Sequence, residues 1–218
     1  MRIQNTEAYF DALAPHWDGR LRRSSLFQAR YREFEKLIRR YATPRTRALD
    51  YGCGSGTLCE VLTRYVAEVV GTDISYEMRQ LAQKRLVDHP SARITEVAEV
   101  DRFGFDLALC SSVIEYAEKD SEFLRTLTSY LAPGGHLVIS FPNRMGCLQL
   151  VQRHVLSRFD ADSYVHLQKN TYTRRSIRRL LAAAGLELLH LDAPIGLPGL
   201  TALGLGELLF CVARKPAV

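Results

Sequence analysis

Leu49-Asp50-Tyr51-Gly52-Cys53-Gly54-Ser55-Gly56-Thr57 (LDYGCGSGT) places three glycines at alternate positions just behind an acidic side chain. The residues that lead into it, Arg47 to Tyr51, read as a strand, and those that follow, Thr57 to Val66, carry the apolar spacing of a helix. A strand that ends in a glycine-rich turn and opens a helix leaves free backbone amides at the positive helix end. They lie at the mouth of the sheet, where ligands of open α/β sheets bind. The stretch therefore predicts an α/β fold with its ligand at the carboxyl edge of the strands.

The same alternation continues on both sides. Upstream, Phe27, Tyr31, Phe34, Ile38 and Tyr41 recur at three and four residues, which predicts a helix over Ser24 to Tyr41 that Thr43-Pro44 ends. Downstream come strand Glu68 to Thr72, helix Tyr76 to Val87, strand Arg93 to Val97, strand Phe105 to Cys110 and helix Ser121 to Leu131. Then follow the turn Ala132-Pro133-Gly134-Gly135 and strand His136 to Phe141. After Asn143 the rhythm breaks for about thirty residues rich in His, Arg, Tyr and Gln. Helix Thr173 to Ala184, closed by Gly185, strand Leu186 to Leu191 and strand Glu207 to Ala213 complete the pattern. Strands alternating with helices predict a mostly parallel sheet wound on both faces, and the last two strands predict an antiparallel finish.

Composition agrees with one such domain. The chain has 218 residues, 47% of them apolar and 24% charged, which fits an ordinary globule and excludes disordered or collagen-like classes. The net charge of +5 permits nucleic-acid binding, but the basic residues are scattered. Their densest clusters, Arg20 to Arg23 and Arg174 to Arg179, read as solvated helix faces. Five cysteines form no CxxC pair and no secretory signal precedes them, so reduced thiols, no metal site and a cytoplasmic location are expected. The uncharged run of Ala193 to Gly206 is broken by prolines and glycines and falls short of the roughly 20 residues of a membrane span.

Twenty-one residues after Gly52 stands Asp73, at the end of the second strand, where a carboxylate would accept hydrogen bonds from ribose hydroxyls. Loop and acid together imply an adenosine-containing ligand. A nicotinamide dinucleotide wants GxGxxG or GxGxxA, whereas the spacing here is GxGxG with Thr57 at the third small position. Asp50, two residues before the first glycine, would repel a pyrophosphate but tolerates an ammonium group, which favours S-adenosylmethionine.

At these residues the chain resembles a class I S-adenosylmethionine-dependent methyltransferase of the compact kind that acts on small molecules. LDYGCGSGT resembles the first motif of that family, and GTDIS the second. RITEVAEV resembles the adenine-flanking turn, FDLALCSSVIEYAEKD the fourth-strand motif, and LAPGGHLVISFPN the fifth strand with its turn. YTRRSIRRLLAAAGLELL resembles the helix and strand after the insertion, and YFDALAPHWD an N-terminal lid. The resemblance implies a single Rossmann-like domain over residues 1–218, doubly wound, with a mostly parallel seven-stranded sheet whose last strand is antiparallel. A helical lid (1–42) and a substrate-cap insertion after the fifth strand (143–172) complete it. It implies cofactor contacts from Tyr9, Trp17, Asp50, Gly52, Cys53, Gly54, Gly56, Thr57, Asp73, Ile74, Met78, Ala98, Glu99, Val100, Cys110 and Ser111, with S-adenosylhomocysteine as product. Glu99 stands where the family more often has Asp, and Tyr116 where it often has His.

Methyl transfer from a sulfonium is an in-line displacement, so proximity supplies most of the catalysis, and a base is needed only for a hydroxyl or a protonated amine. Candidate catalytic residues are His16 in the lid, Glu115 after the fourth strand, and His154 and His166 in the insertion; Glu115 and Tyr116 also read as a helix-start carboxylate and a packed tyrosine. Arg144, Arg153, Arg158 and Lys169, with Tyr164, favour an aromatic or acidic small-molecule acceptor. The fourth strand runs into Cys110-Ser111-Ser112-Val113 rather than an Asn/Asp-Pro-Pro-aromatic sequence, which weakens the alternative of a nucleic-acid or protein methyltransferase on the same fold; a non-catalytic interaction module with the cofactor fold is the other alternative. Assembly as a monomer or a homodimer is left open.

Overall fold

In the computed structural model, residues 5–102, 104–146, 167–196, 201 and 203–217 are described. Two helices open the chain. Helix α1 (Thr6–Arg23) starts where the Asn5 side chain accepts the Glu7 N–H at 3.0 Å, and α2 (Ser25–Tyr41) starts where Ser24 Oγ accepts the Phe27 N–H. Then strands and helices alternate as β1 (Arg47–Tyr51), α3 (Thr57–Leu62), β2 (Glu68–Thr72), α4 (Tyr76–Arg85), β3 (Ala92–Thr95) and β4 (Phe105–Cys110). They continue as α5 (Asp120–Tyr130), β5 (Leu131–Pro142), α6 (Arg174–Ala183), β6 (Glu187–Ile195) and β7 (Leu208–Arg214).

The seven strands order as β3-β2-β1-β4-β5-β7-β6. The first five pair in parallel, while β7 runs antiparallel to both β5 and β6. Strand order reverses between β1 and β4, where Asp50 lies level with Gly71 on one side and Leu109 on the other. That reversal opens the crevice in which ligands of such sheets sit.

Both faces of the sheet are covered, so its strands are apolar at successive positions. The alternation of side chains sorts them into two cores. Leu49, Val70 and Ala108 face α5 and α6, packing with Leu124, Leu127, Ile177 and Leu181. Their neighbours Ala48, Val69, Leu107 and Leu109 face the other way, against Phe34 and Ile38 of α2 and Leu58 and Leu62 of α3.

The elements fall where the periodicity sets them, with local differences. Helix α3 stops at Leu62, four residues early, and β3 ends at Thr95 because Val97–Glu99 close into a single 3-10 turn. Strand β5 starts at Leu131 and includes the Ala132-Pro133-Gly134-Gly135 turn: Leu131 pairs with Phe105, the register then shifts, and His136 pairs with Leu107. The extra residues bulge out through Gly134, whose φ of 78° suits glycine. Cys53, Cys59, Cys110 and Cys211 are buried and free. Among the described residues no helix is long and apolar enough to cross a membrane.

Candidate functional site

The glycine turn is built around left-handed backbone. Gly52, Gly54 and Gly56 have φ of 79°, 53° and 80°, a region that side chains with a Cβ rarely enter. Space demands glycine too: a Cβ at Gly52 would stand 2.2 Å from Val113 Cγ2, and one at Gly56 would stand 3.0 Å from Ala82 Cβ on α4. The turn is pinned to the end of β2, since the N–H groups of Gly52 and Cys53 both donate to the Thr72 carbonyl, at 2.8 and 2.9 Å.

Asp73 completes that anchorage. Its Oδ2 accepts the Gly54 N–H and its Oδ1 the Ser75 N–H, each at 2.9 Å. Burial raises its pKa, and the two backbone donors oppose the rise. One carboxylate thus ties the loop after β1 to the loop after β2, at the position expected to meet a ribose.

Asp50 lies fully buried beneath the loop. Its Oδ2 accepts the Cys59 thiol at 3.3 Å, while Oδ1 has no hydrogen-bond partner among the described residues. Burial pushes its carboxyl up to about 7. Thr57 Oγ1, at the first turn of α3, is likewise buried and unpartnered. Across the loop the sequence reading missed a second charge. Arg30 of α2 is buried, with Nη1 donating to Ser112 Oγ at 2.8 Å, its Nε unpartnered and its Cζ 4.4 Å above the Phe27 ring. No carboxylate forms an ion pair with it among the described residues. Its signal was present in the sequence: Arg30 falls on the apolar stripe of α2, between Phe27 and Phe34, where a solvated arginine would not stand.

Helix α1 lies over the loop. Trp17 Nε1 stands 3.4 Å from where a Cβ of Gly54 would be. Edge-to-face contacts join Tyr9 to Phe10, Phe10 to Trp17 and to Tyr116, and Trp17 to Phe27. Two acids fasten the helix down. Asp18 accepts Ser55 Oγ at 2.7 Å and Arg85 Nη2 at 2.8 Å, and Asp11 Oδ1 accepts Ser75 Oγ at 2.6 Å. Arg85 also donates from Nε to the Ser55 carbonyl at 2.7 Å, so Ser55 is held from both sides.

After β4 the chain passes Cys110, fully buried, and Ser111, whose Oγ is buried without a partner, into a 3-10 turn at Ile114–Tyr116. Glu115 is buried in that turn, its carboxyl pushed up to about 7 by burial against the opposing pull of Arg30, and its Oε2 is unpartnered. Its carbonyl accepts the N–H groups of Lys169 and Asn170, which brings the end of the insertion beside it. The candidate carboxylate, the buried guanidinium and the glycine turn therefore share one edge of the sheet.

The remaining expected residues divide. Ile74 is 51% exposed beside Asp73, whereas Met78 is packed into α4 at 1% exposure. Ala98 and Glu99 are exposed on their 3-10 turn, with Glu99 Oε2 accepting Thr95 Oγ1 at 2.8 Å, and Val100 is buried. Cys53 is buried in the loop with its thiol toward the Gly54 carbonyl at 3.6 Å. His16 is exposed on α1. His154, Tyr164, His166, Arg153 and Arg158 lie outside the described residues.

Comparison with known proteins bears on the same edge. A family profile described as a methyltransferase domain matches residues 25–191, from α2 into β6. The chain belongs to the class I S-adenosylmethionine-dependent methyltransferases. Among methyltransferases it is similar to a ubiquinone biosynthesis O-methyltransferase of Bradyrhizobium diazoefficiens, 36% identical over 138 residues, or 61% of this chain and 54% of that relative. The chain thus spans about half the length of that curated relative. In fold it resembles the Synechocystis magnesium protoporphyrin IX methyltransferase solved with bound S-adenosylhomocysteine, with a TM-score of 0.73 at 19% identity over 96% of this chain and 97% of that one. The cyclase SpnF is similar in fold as well, with a TM-score of 0.76 at 16% identity over 99% and 96% of the two chains.

Proposed function

We propose that the chain transfers a methyl group from S-adenosylmethionine to an oxygen or nitrogen atom of a small-molecule acceptor. The observation that carries the reading is a pair of buried groups at the ligand edge with unpartnered atoms, the Asp50 carboxyl with a free Oδ1 and the Arg30 guanidinium with a free Nε. Burying such groups without partners is costly, so a ligand that brings both an ammonium and a carboxylate is the complement they favour. The amino-acid end of S-adenosylmethionine has that chemistry, and a pyrophosphate does not.

The chain's other residues fit around that end. Asp73 and the exposed Ile74 stand where a ribose and a base would extend along β2, and Trp17 and Phe10 close over the turn from α1. When bound, the cofactor supplies an electrophilic methyl group whose displacement needs an in-line nucleophile and little else. The aromatic cover and the buried edge exclude water from that line. Glu115 is the candidate base among the described residues: it is buried, has a free oxygen and is held near neutral pKa, the condition in which a carboxylate takes a proton from a hydroxyl. His16, exposed on the lid, is poorly placed for that role.

The O-methyltransferase name of the relative supports an oxygen acceptor, and the exposed Arg144 and Lys169 at the ends of the insertion support an aromatic or acidic one. Incubation with methyl-labelled S-adenosylmethionine and a panel of phenols, carboxylic acids and small amines tests the reading. Labelled product with at least one acceptor, matched by equimolar S-adenosylhomocysteine, is expected; an untransferred label across the panel, with S-adenosylhomocysteine failing to bind, would exclude it.

A further inference from the structure

The turn after β4 contains a residue whose conformation needs a reason. Ser112 has φ 56°, and among the described residues it is the only one other than glycine in the left-handed region. A Cβ crowds its own backbone there, and glycine would hold the turn at lower cost. What serine adds over glycine is its hydroxyl, which lies 3.5 Å from Ser140 Oγ as well as against Arg30, while the backbone tether is one that glycine would share. The Ser112 N–H donates to Ser140 Oγ at 3.0 Å, and Ser140 is fully buried in β5. The Ser112 Oγ accepts Arg30 Nη1 at 2.8 Å, joining residues 82 positions apart.

Arg30 depends on that contact. Stacking on Phe27, with Cζ 4.4 Å from the ring centroid, sets the plane of the guanidinium, and its rotation within that plane is left to its edge contacts. The Ser112 hydroxyl accepts from Nη1 and engages one edge of the guanidinium, which also neighbours Tyr31 with its Cζ 5.5 Å from that ring, while Nε stays unpartnered. A planar guanidinium meets a carboxylate best through two parallel N–H groups, so its rotation in the plane decides whether both are presented.

We propose that Ser112 is a positioning residue for the cofactor carboxylate: its left-handed backbone, braced on Ser140, carries Oγ to Arg30 Nη1 and so sets the orientation in which the remaining N–H groups meet the ligand. The inference rests on the reading that Arg30 binds the carboxylate of S-adenosylmethionine. Ser112 acts through Arg30 and touches no reacting atom.

Calorimetry with two probes, S-adenosylhomocysteine and its decarboxylated analogue, tests it on the full chain. Ser112→Gly keeps the backbone and removes the hydroxyl, Ser112→Asn keeps a polar acceptor on a residue that tolerates the left-handed region, and thermal unfolding monitors both folds. Ser112→Gly is expected to bind S-adenosylhomocysteine about tenfold more weakly, the effect of one charged hydrogen bond, and to bind the decarboxylated analogue as the parent does. Ser112→Asn is expected to retain most of the affinity, and Ser112→Gly to add nothing once Arg30→Ala is in place. If Arg30→Ala weakens S-adenosylhomocysteine selectively while Ser112→Gly binds like the parent, the positioning role fails and the Arg30 reading stands. Equal losses on both probes would make Ser112 merely structural and overturn the proposal. If Arg30→Ala binds both probes as the parent does, the Arg30 reading fails and takes the proposal with it.

Discussion

The indole of Trp17 lies directly against Gly54, its Nε1 3.4 Å from the position a Cβ would take. Trp17 is the only tryptophan of the chain, so its emission reports on the contact between α1 and the glycine turn alone. Addition of S-adenosylhomocysteine is expected to shift or quench that emission in a saturable way, and Trp17→Phe to abolish the signal while weakening binding several-fold. An emission that stays constant while calorimetry records binding would place the ligand away from Trp17.

The 2.2 Å approach of Val113 Cγ2 makes Gly52 the least replaceable glycine of the turn. Gly52→Ala adds a clash to a left-handed φ and is expected to cost about 2–4 kcal/mol of stability and to remove cofactor binding. Val113→Ala in the same chain relieves the clash but not the backbone strain. The double variant is therefore expected to regain part of the stability in thermal unfolding. Gly52→Ala unfolding at the parent temperature would contradict the geometry.

Asp50 and Glu115 set a pH dependence with a definite sign. Burial raises both carboxyls to about 7 in the folded chain, against about 4 when unfolded. Between these limits the folded state binds more protons than the unfolded one. The stability each group contributes is complete below about pH 4 and is lost as pH rises through about 7, with a limiting slope of about 1.4 kcal/mol per pH unit. Asp50→Asn and Glu115→Gln should each flatten the fall in unfolding temperature between pH 5 and 8 in the ligand-free protein. Variants whose slopes match the parent would refute the assignment.

Glu115 also separates binding from chemistry. Because Glu115 belongs to the turn after β4 and not to the glycine turn, Glu115→Gln is expected to leave the affinity for S-adenosylhomocysteine unchanged and to lower kcat on a hydroxyl acceptor by about a hundredfold or more. On an acceptor that is already ionised the loss should shrink. A proportionate fall in cofactor affinity would assign Glu115 to binding instead.

The sequence made the sheet and its glycine turn readable because period-two and period-3.6 patterns are local, and because GxGxG requires backbone that Gly52, Gly54 and Gly56 supply. It set Asp73 at the end of the second strand, where β2 indeed stops, but not its hold on Gly54 and Ser75, which depends on how two loops meet. Arg30 shows in the sequence only as an arginine on the apolar stripe of α2; its partner is set by the turn after β4, which no local pattern connects to it. The fastening of α1 through Asp18 to Ser55 joins residues 37 apart that no spacing rule connects. Strand β5 begins early because Leu131 reaches across to Phe105, a register that a single strand does not encode.

Calorimetric titration of the chain with S-adenosylhomocysteine, alongside NAD, tests the central claim most directly. The account requires one saturable site for S-adenosylhomocysteine, weakened by Arg30→Ala and by Asp50→Asn, and no heat of binding with NAD. Binding of NAD, or the absence of any S-adenosylhomocysteine site in the folded chain, would contradict it.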